Sequence, residues 1–344
     1  EIVRDLERAL EFDQSVRFLK IYTSEFHMPG GEPFGAVQCN YEISLQHAGA
    51  VRPLRRLATI AEAAFCTLLF PAPPALFGMD RFADFHPSID PAKLFRDAEY
   101  RFWEQMREDT SSRFLGFIMP HVLLRKPWGM DGIRRGPFPY REGCRDTADL
   151  LWGHGGLALL RVLQREFENV GWFAHIRGAP RDTLAGGIVA DVLPMIPLDG
   201  AETRASILPG TDLVISDDLE RSLSDCGFVP LVHCWQTDCC AFYSLPSLYR
   251  PEDTRNEERD RNDRIASQLQ NILCASRFAH YIKVMMRDKV GTYLNAQECQ
   301  NFMEDWLSDY CISGENLPWS TQARFPLKAA RLSVREKPAE PGHY

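Results

Sequence analysis

The order of apolar and polar residues along the chain predicts alternating helices and strands. Apolar residues that recur every three or four positions are typical of one helix face, whereas alternation or a short apolar run is typical of a strand. The helical spacing covers residues 2–21, 52–69, 91–108, 149–170, 218–226, 264–294 and 295–311. The strand patterns cover residues 37–43, 114–124, 172–177, 213–216, 228–235 and 240–245. This alternation predicts a mixed α/β (α+β) fold, in which mixed β-sheets are flanked by helices.

Residues at the ends of these stretches support the assignment. Asp90 followed by Pro91 is typical of a helix start, and Gly171 is typical of a helix end. Residues 127–145 contain many Gly, Pro and Arg residues without periodicity, which predicts a surface loop, and the charged residues 250–264 predict a polar linker. We expect a larger N-terminal portion, residues 1–276, and a C-terminal portion, residues 277–344.

Composition and charge narrow the class of protein. The chain has 344 residues, of which 45% are hydrophobic and 25% are charged, so it is expected to fold around a sizeable core. A net charge of −8 disfavours nucleic acid as a partner and favours a basic partner. No apolar run is long enough to predict membrane insertion. The chain begins at Glu1 without a signal-peptide pattern, and we expect it to be cut from a longer protein.

Three segments contain residue types that occur in metal sites or active sites. His233, Cys234, Asp238, Cys239 and Cys240 include metal-ligand types without the spacing of a zinc site, and the ten cysteines form no Cys-x-x-Cys pair, so reduced, buried thiols are the favoured interpretation.

The other two segments are a glycine-rich loop and a helical histidine. The loop at residues 30–35 lacks the Gly-Lys-Ser/Thr of a phosphate-binding loop. His280, beside Phe278 and Tyr281, is more typical of a partly buried, hydrogen-bonded residue than of a general base. Catalysis therefore has little support from the residues.

The clearest helical pattern covers residues 295–311. Asn295 and Glu298 match a capping box, and the segment contains no Lys or Arg. Apolar residues lie on one face, and on the polar face Glu298, Asp305 and Asp309 cluster on one flank, with Glu304 further round. Two interpretations stay open at this point. The acids form a solvated face or pair internally with Arg277, Lys283 or Arg287, or they form a docking face for a basic partner.

Several segments, taken together, resemble one protein family. They are GGEPFG at 30–35, WG at 152–153, GWFAHIRG at 171–178, LVHC at 231–234 with TD at 237–238, SRFAHY at 276–281 and MRDK at 286–289. They occur in order along nearly the whole chain, and this chain resembles TssC (VipB), the large subunit of the contractile sheath of bacterial type VI secretion systems.

The resemblance implies a structural, contractile tail-sheath-like protein of the bacterial cytoplasm, without catalysis, cofactor or metal. It implies pairing with the small subunit TssB (VipA), polymerisation with other TssC copies around a tube of Hcp rings, and attachment to a baseplate. It also implies contraction that propels the tube, and recycling by the ClpV ATPase through TssB. Family members have strands outside the span of this chain that link neighbouring subunits, so we expect this chain alone to polymerise poorly.

The resemblance also gives the acidic helix a role. It implies that the C-terminal region faces the tube, so Glu298, Glu304, Asp305 and Asp309 are predicted to contact a basic Hcp surface. Two alternatives to a sheath subunit stay open: a metal- or thiol-dependent enzyme that uses the cluster from His233 to Cys240, and a soluble scaffold unrelated to secretion.

Overall fold

The computed structural model describes residues 34–43, 48–86, 88–128, 140–180, 183–190, 210–234, 237, 239–288, 295–314 and 317–335. The predicted helix at 2–21, most of the glycine-rich loop and residues 129–139 of the predicted surface loop lie outside these ranges. Among the described residues, no helix combines the length and the apolar character needed to cross a membrane.

Helices and strands alternate through the described residues. The first part contains β1 (Ala36–Gln38), α1 (Ala48–Ala64), β2 (Thr67–Pro71), α2 (Pro91–Leu94), α3 (Arg101–Glu108), β3 (Leu115–Met119), β4 (Val122–Leu123), β5 (Trp152–Gly153) and α4 (Gly156–Val170). The second part contains β6 (Ile188–Val189), α5 (Asp217–Asp225), β7 (Phe228–His233), β8 (Cys240–Phe242), α6 (Glu257–Ala266), α7 (Leu269–Asp288), α8 (Ala296–Ser308) and α9 (Trp319–Arg324).

Six of the strands form one mixed sheet in the order β1-β2-β3-β7-β8-β6. The first four strands are parallel, with Leu68 opposite Leu115 and Phe117 opposite Phe228. Strand β8 is antiparallel to both of its neighbours, and it forms a hairpin with β7, the strand before it. The sheet with its flanking helices confirms the predicted mixed α/β class.

Hydrophobic cores cover both faces of this sheet, because successive residues of a strand point to opposite faces. On one face, Phe117 and Phe228 pack with Trp103 of α3, whose ring stacks on Phe228 at 4.7 Å. On the other face, Ile118 packs in a cluster with Val162 of α4 and with residues of α7. The central strands are therefore buried on both faces, which explains their continuous apolar sequences.

The predicted helix at 52–69 is wrong at its C-terminal end. Helix α1 ends at Ala64, Phe65 has a positive φ of 51°, and the chain then enters β2. All five residues of β2 are buried between two parallel neighbours. A short apolar run of this kind does not distinguish a buried strand from a helix by its periodicity, so the sequence alone gave the wrong boundary.

The strand predicted at 172–177 is also wrong, since these residues form turns. Their apolar side chains are buried by aromatic packing: Trp172 stacks on Phe278 with ring centroids 4.5 Å apart, and Phe173 stacks on Phe167 at 5.5 Å. Gly171 ends α4 with a φ of +79°, as predicted, although the helix begins at Gly156 rather than near Asp149.

Smaller differences concern four other segments. The strand at 37–43 is shorter, and residues 213–216 form no ladder. The predicted helix at 91–108 is divided into α2, a turn of 3₁₀ helix and α3. Asp90 caps the first of these, α2, as predicted. The polar linker contains α6, capped by Asn256, and residues 267–268 separate α6 from α7.

Candidate functional site

The acidic helix begins where the sequence predicts. The Asn295 side chain accepts a hydrogen bond from the Glu298 backbone N–H at 2.8 Å, and the Glu298 carboxylate accepts one from the Asn295 backbone N–H at 3.3 Å. This capping box satisfies two backbone donors that a helix N-terminus leaves without partners. It fixes the first turn of α8, and hence the direction in which both faces of the helix point.

The apolar face of α8 packs against an aromatic cluster on α7 and Trp172. Trp306 contacts Phe278 and Tyr281 edge-on, with ring centroids 6.0 and 6.2 Å apart, and Tyr310 contacts Trp172 at 5.1 Å. Cys299 and Met303 are buried on the same face. This packing holds α8 on the rest of the molecule and turns its polar face outward.

The four predicted contact residues are all exposed on the polar face: Glu298, Glu304, Asp305 and Asp309. Their local hydrogen bonds are few: Glu298 belongs to the capping box, and the Glu304 carboxylate accepts a hydrogen bond from the Gln300 side chain at 2.8 Å. None of the four forms an ion pair with another residue of the described ranges. The helix thus presents several uncompensated negative charges to solvent.

Internal pairing of these acids with the nearby basic residues of α7 finds little support. The Arg277 guanidinium lies over the Tyr281 ring at 4.8 Å and donates a hydrogen bond to the Tyr281 hydroxyl. The Lys283 ammonium lies 5.2 Å from the centre of the Phe65 ring. The side chain of Arg287 lies outside the described residues. Two of the three predicted internal partners therefore have contacts elsewhere.

Within the described residues, the thiol-rich hairpin between β7 and β8 shows no cluster of metal ligands. Cys240 is buried, and burial raises the pKa of its thiol to about 12, which disfavours the reactive thiolate. The Cys234 thiol lies 3.6 Å from the Tyr243 hydroxyl. Among the described residues, this segment brings no three ligand atoms within 4.8 Å of one another, and Asp238 lies outside those residues.

His280 is a buried structural residue, as the sequence favoured. It is 1% exposed, and its Nε2 donates a hydrogen bond to the Ala64 carbonyl at 2.9 Å. Its ring also packs edge-on against Phe65. These contacts join α7 to the end of α1, and burial keeps the imidazole away from any substrate in solution.

Comparison with known protein families identifies the chain. The family model described as "EvpB/VC_A0108, tail sheath N-terminal domain" matches residues 1–249, and the model described as "EvpB/VC_A0108, tail sheath gpW/gp25-like domain" matches residues 258–344. The chain belongs to the EvpB/VC_A0108 tail-sheath family. The acidic helix lies in the gpW/gp25-like part. The boundary that the sequence suggests near Ser276 stays a prediction.

A curated relative extends the likeness along nearly the whole chain. The chain is 31% identical over 337 residues to the "Type VI secretion system sheath protein TssC1" of Pseudomonas aeruginosa. The alignment covers 97% of this chain and 66% of the relative, so the chain spans slightly less than two thirds of that protein. The TssC (VipB) family predicted from the sequence is thereby confirmed.

The structure also contains two groups of charged and metal-ligand-type side chains that sequence reasoning missed. Arg107 lies buried between α3, α5 and the segment after β8. Glu42, His121 and His154 converge from three separate segments. Neither arrangement has a local sequence signal, because the residues of each are far apart in the chain.

Proposed function

We propose that this member of the tail-sheath family is part of the large subunit of a type VI secretion sheath in the bacterial cytoplasm. It pairs with a TssB-like small subunit, polymerises with further copies around a tube of Hcp rings on a baseplate, and contracts to propel the tube. A ClpV ATPase then recycles the contracted sheath through TssB. The match of both tail-sheath domain models in order along the chain carries this proposal.

The edges of the main sheet support assembly by strand exchange. Within the described residues, β1 pairs with β2 on one side only, and β6 pairs with β8 on one side only. The free backbone groups of an edge strand are a template for a strand of another chain. Backbone hydrogen bonds of this kind keep subunits connected while the subunits rotate and slide.

The acidic face of α8 supports contact with the tube. Its four exposed carboxylates have no ion-pair partner among the described residues, and residues 295–311 contain no Lys or Arg. Such a face attracts a basic surface through contacts that are individually weak and screened by salt. Weak contacts permit release of the tube during contraction, whereas a large apolar interface would oppose it.

The experiment that tests this proposal is co-expression of the full-length protein with a TssB-like small subunit and an Hcp-like tube protein of the same organism. We expect a stable complex of the two sheath subunits in size-exclusion chromatography, and tubules in electron micrographs. Expression of the large subunit alone is the control, and it should give no tubules. A protein that stays monomeric beside its small subunit would contradict the proposal.

A further inference from the structure

Three metal-ligating side chains converge at the carboxyl ends of two parallel strands. Glu42 follows β1, His121 follows β3, and His154 lies between β5 and α4. One ligand atom from each side chain lies within 4.8 Å of the corresponding atoms of the other two. The carboxyl edge of a parallel sheet is a common place for ligand sites in α/β proteins.

Two adjacent glycines allow the three segments to approach one another. A Cβ atom at Gly155 would lie 2.4 Å from the Pro120 carbonyl oxygen, and one at Gly156 would overlap the Gln38 side chain. A larger residue at Gly155 would push α4 away from the backbone after β3, whereas one at Gly156 would displace the Gln38 side chain. The close approach brings the rings of His121 and His154 to a centroid distance of 5.9 Å.

His121 is held in the orientation of a metal ligand. The Asp212 carboxylate accepts a hydrogen bond from the His121 backbone N–H at 2.9 Å and lies 2.8 Å from its Nδ1. Both side chains are mostly buried, with exposed fractions of 18% and 13%. A carboxylate on Nδ1 fixes the ring and leaves Nε2 as the ligand atom, as second-shell carboxylates do in zinc sites.

The other two side chains of the group, His154 and Glu42, differ in their exposure to solvent. The Nδ1 of His154 is buried and has no hydrogen-bond partner among the described residues. Glu42 is exposed and supplies a negative charge at the solvent side of the group.

We propose that Glu42, His121 and His154 bind one divalent transition-metal ion, for which Zn²⁺ is the best match to two imidazoles and a carboxylate. In a tetrahedral zinc site with Zn–N near 2.1 Å, ligand atoms lie about 3.4 Å apart. The three ligand atoms lie within 4.8 Å of one another, so small side-chain movements bring them to that spacing. The fourth position is left for water or for a donor from another molecule. The ion fastens the segment after β1 to the N-terminus of α4. This inference does not depend on the proposed function.

Titration of the purified, chelator-treated full-length protein with ZnCl₂ and with CoCl₂ tests the site. We expect one tightly bound ion per chain and a cobalt spectrum without the strong thiolate-to-cobalt band that cysteine ligands produce. Glu42→Gln and His154→Gln should each weaken binding at least tenfold, and Asp212→Asn should weaken it by about 10 to 100-fold through loss of ring orientation. Glu42 is exposed, so Glu42→Gln keeps the test valid if a histidine variant fails to fold.

Two control variants separate this site from other ligands. His86→Gln removes an exposed histidine and should leave the affinity unchanged. Cys234→Ser removes one possible thiolate ligand from the thiol-rich hairpin and should also leave the metal affinity unchanged. The proposal is overturned if the protein binds no ion, if Glu42→Gln and His154→Gln bind as tightly as the original protein, or if a thiolate band appears and is lost in Cys234→Ser.

Discussion

At the residue scale, Arg107 joins parts of the fold that are distant in sequence. Its Nη2 donates a hydrogen bond to the Asp225 carbonyl at 2.7 Å, its Nε donates a longer one to the Leu248 carbonyl, and its Nη1 lies 3.5 Å from the Glu104 carboxylate. Glu104 in turn pairs with Arg250 at 2.6 Å. Burial lowers the pKa of Arg107, an effect that its neighbour Glu104 opposes. The buried charge is therefore compensated by three acceptors.

Replacement of Arg107 should destabilise the protein strongly. Arg107→Ala removes the donor to the Asp225 and Leu248 carbonyls and leaves Glu104 paired with Arg250 alone, and we expect the free energy of unfolding to fall by about 3 kcal/mol. Arg221→Ala is the matched control, because Arg221 is exposed and its contact with Asp218 is 4.0 Å long; we expect a change of at most about 0.5 kcal/mol. Urea unfolding monitored by circular dichroism measures both. Equal losses in the two variants would contradict this role of Arg107.

The sequence predicts residue roles that depend on neighbours in the chain, and it misses those that depend on distant ones. Asp90 and Gly171 were identified because a cap acts on backbone groups within a few residues. Arg107 lies in a short helix among other charged residues, so its sequence suggests an exposed side chain. Its two carbonyl acceptors come from positions more than a hundred residues away, and no local pattern indicates them.

At the element scale, α8 shows what makes a helix predictable. Its apolar face, its capping box and its polar face agree with one another, and all three were found in the structure. Helix α6 was missed because it is polar on nearly every side and is supported by Asn256 and by the exposed pair of Arg259 and Asp263. Strand β2 was missed for the opposite reason, since it is apolar throughout.

The capping box of α8 gives an element-scale prediction. Asn295→Ala removes the acceptor for the Glu298 N–H, and we expect a loss of about 1 kcal/mol in the free energy of unfolding. Asn295→Ser retains an N-cap acceptor and should cost much less. Thermal unfolding of the two variants measures the difference. Identical melting curves for both variants would show that the side chain does not cap the helix.

At the scale of the whole molecule, the net charge of −8 and the acidic face of α8 favour a basic partner. We expect the triple variant Glu298→Lys, Asp305→Lys and Asp309→Lys to abolish assembly around Hcp while it leaves the complex with TssB intact. Electron microscopy of tubules and co-purification of the small subunit measure the two effects. Glu304 lies about 120° round the helix from the other acids, so Glu304→Lys alone should have a weaker effect.

Two controls make this prediction specific. The triple variant Glu108→Lys, Glu168→Lys and Glu252→Lys changes the net charge by the same amount at other exposed positions, and it should still assemble. Asn295→Ala disrupts the capping box but keeps the acids, and it separates loss of the cap from loss of charge. Normal assembly of the α8 variant around Hcp, or equal loss in both triple variants, would refute the contact.

The two candidate sites differ in how far the sequence reveals them. The acidic face comes from one continuous helix, so spacing alone placed its residues on one side. Glu42, His121 and His154 belong to separate segments, and they meet only because the parallel strands end at one edge and Gly155 and Gly156 permit close packing. The family resemblance gives no indication of this group, since it was drawn from other segments.

If the chain is the proposed sheath subunit, helix α7 has a mechanical consequence. Its twenty residues extend about 30 Å, and its N-terminal part is anchored by Leu269 and Ile272 in the cores on both faces of the sheet. Further along, Phe278 joins the aromatic cluster that holds Trp306 of α8. In the proposed sheath, a pull on the acidic face of α8 would be transmitted to the sheet along α7, and tension from a neighbouring subunit would reach α8 by the same route.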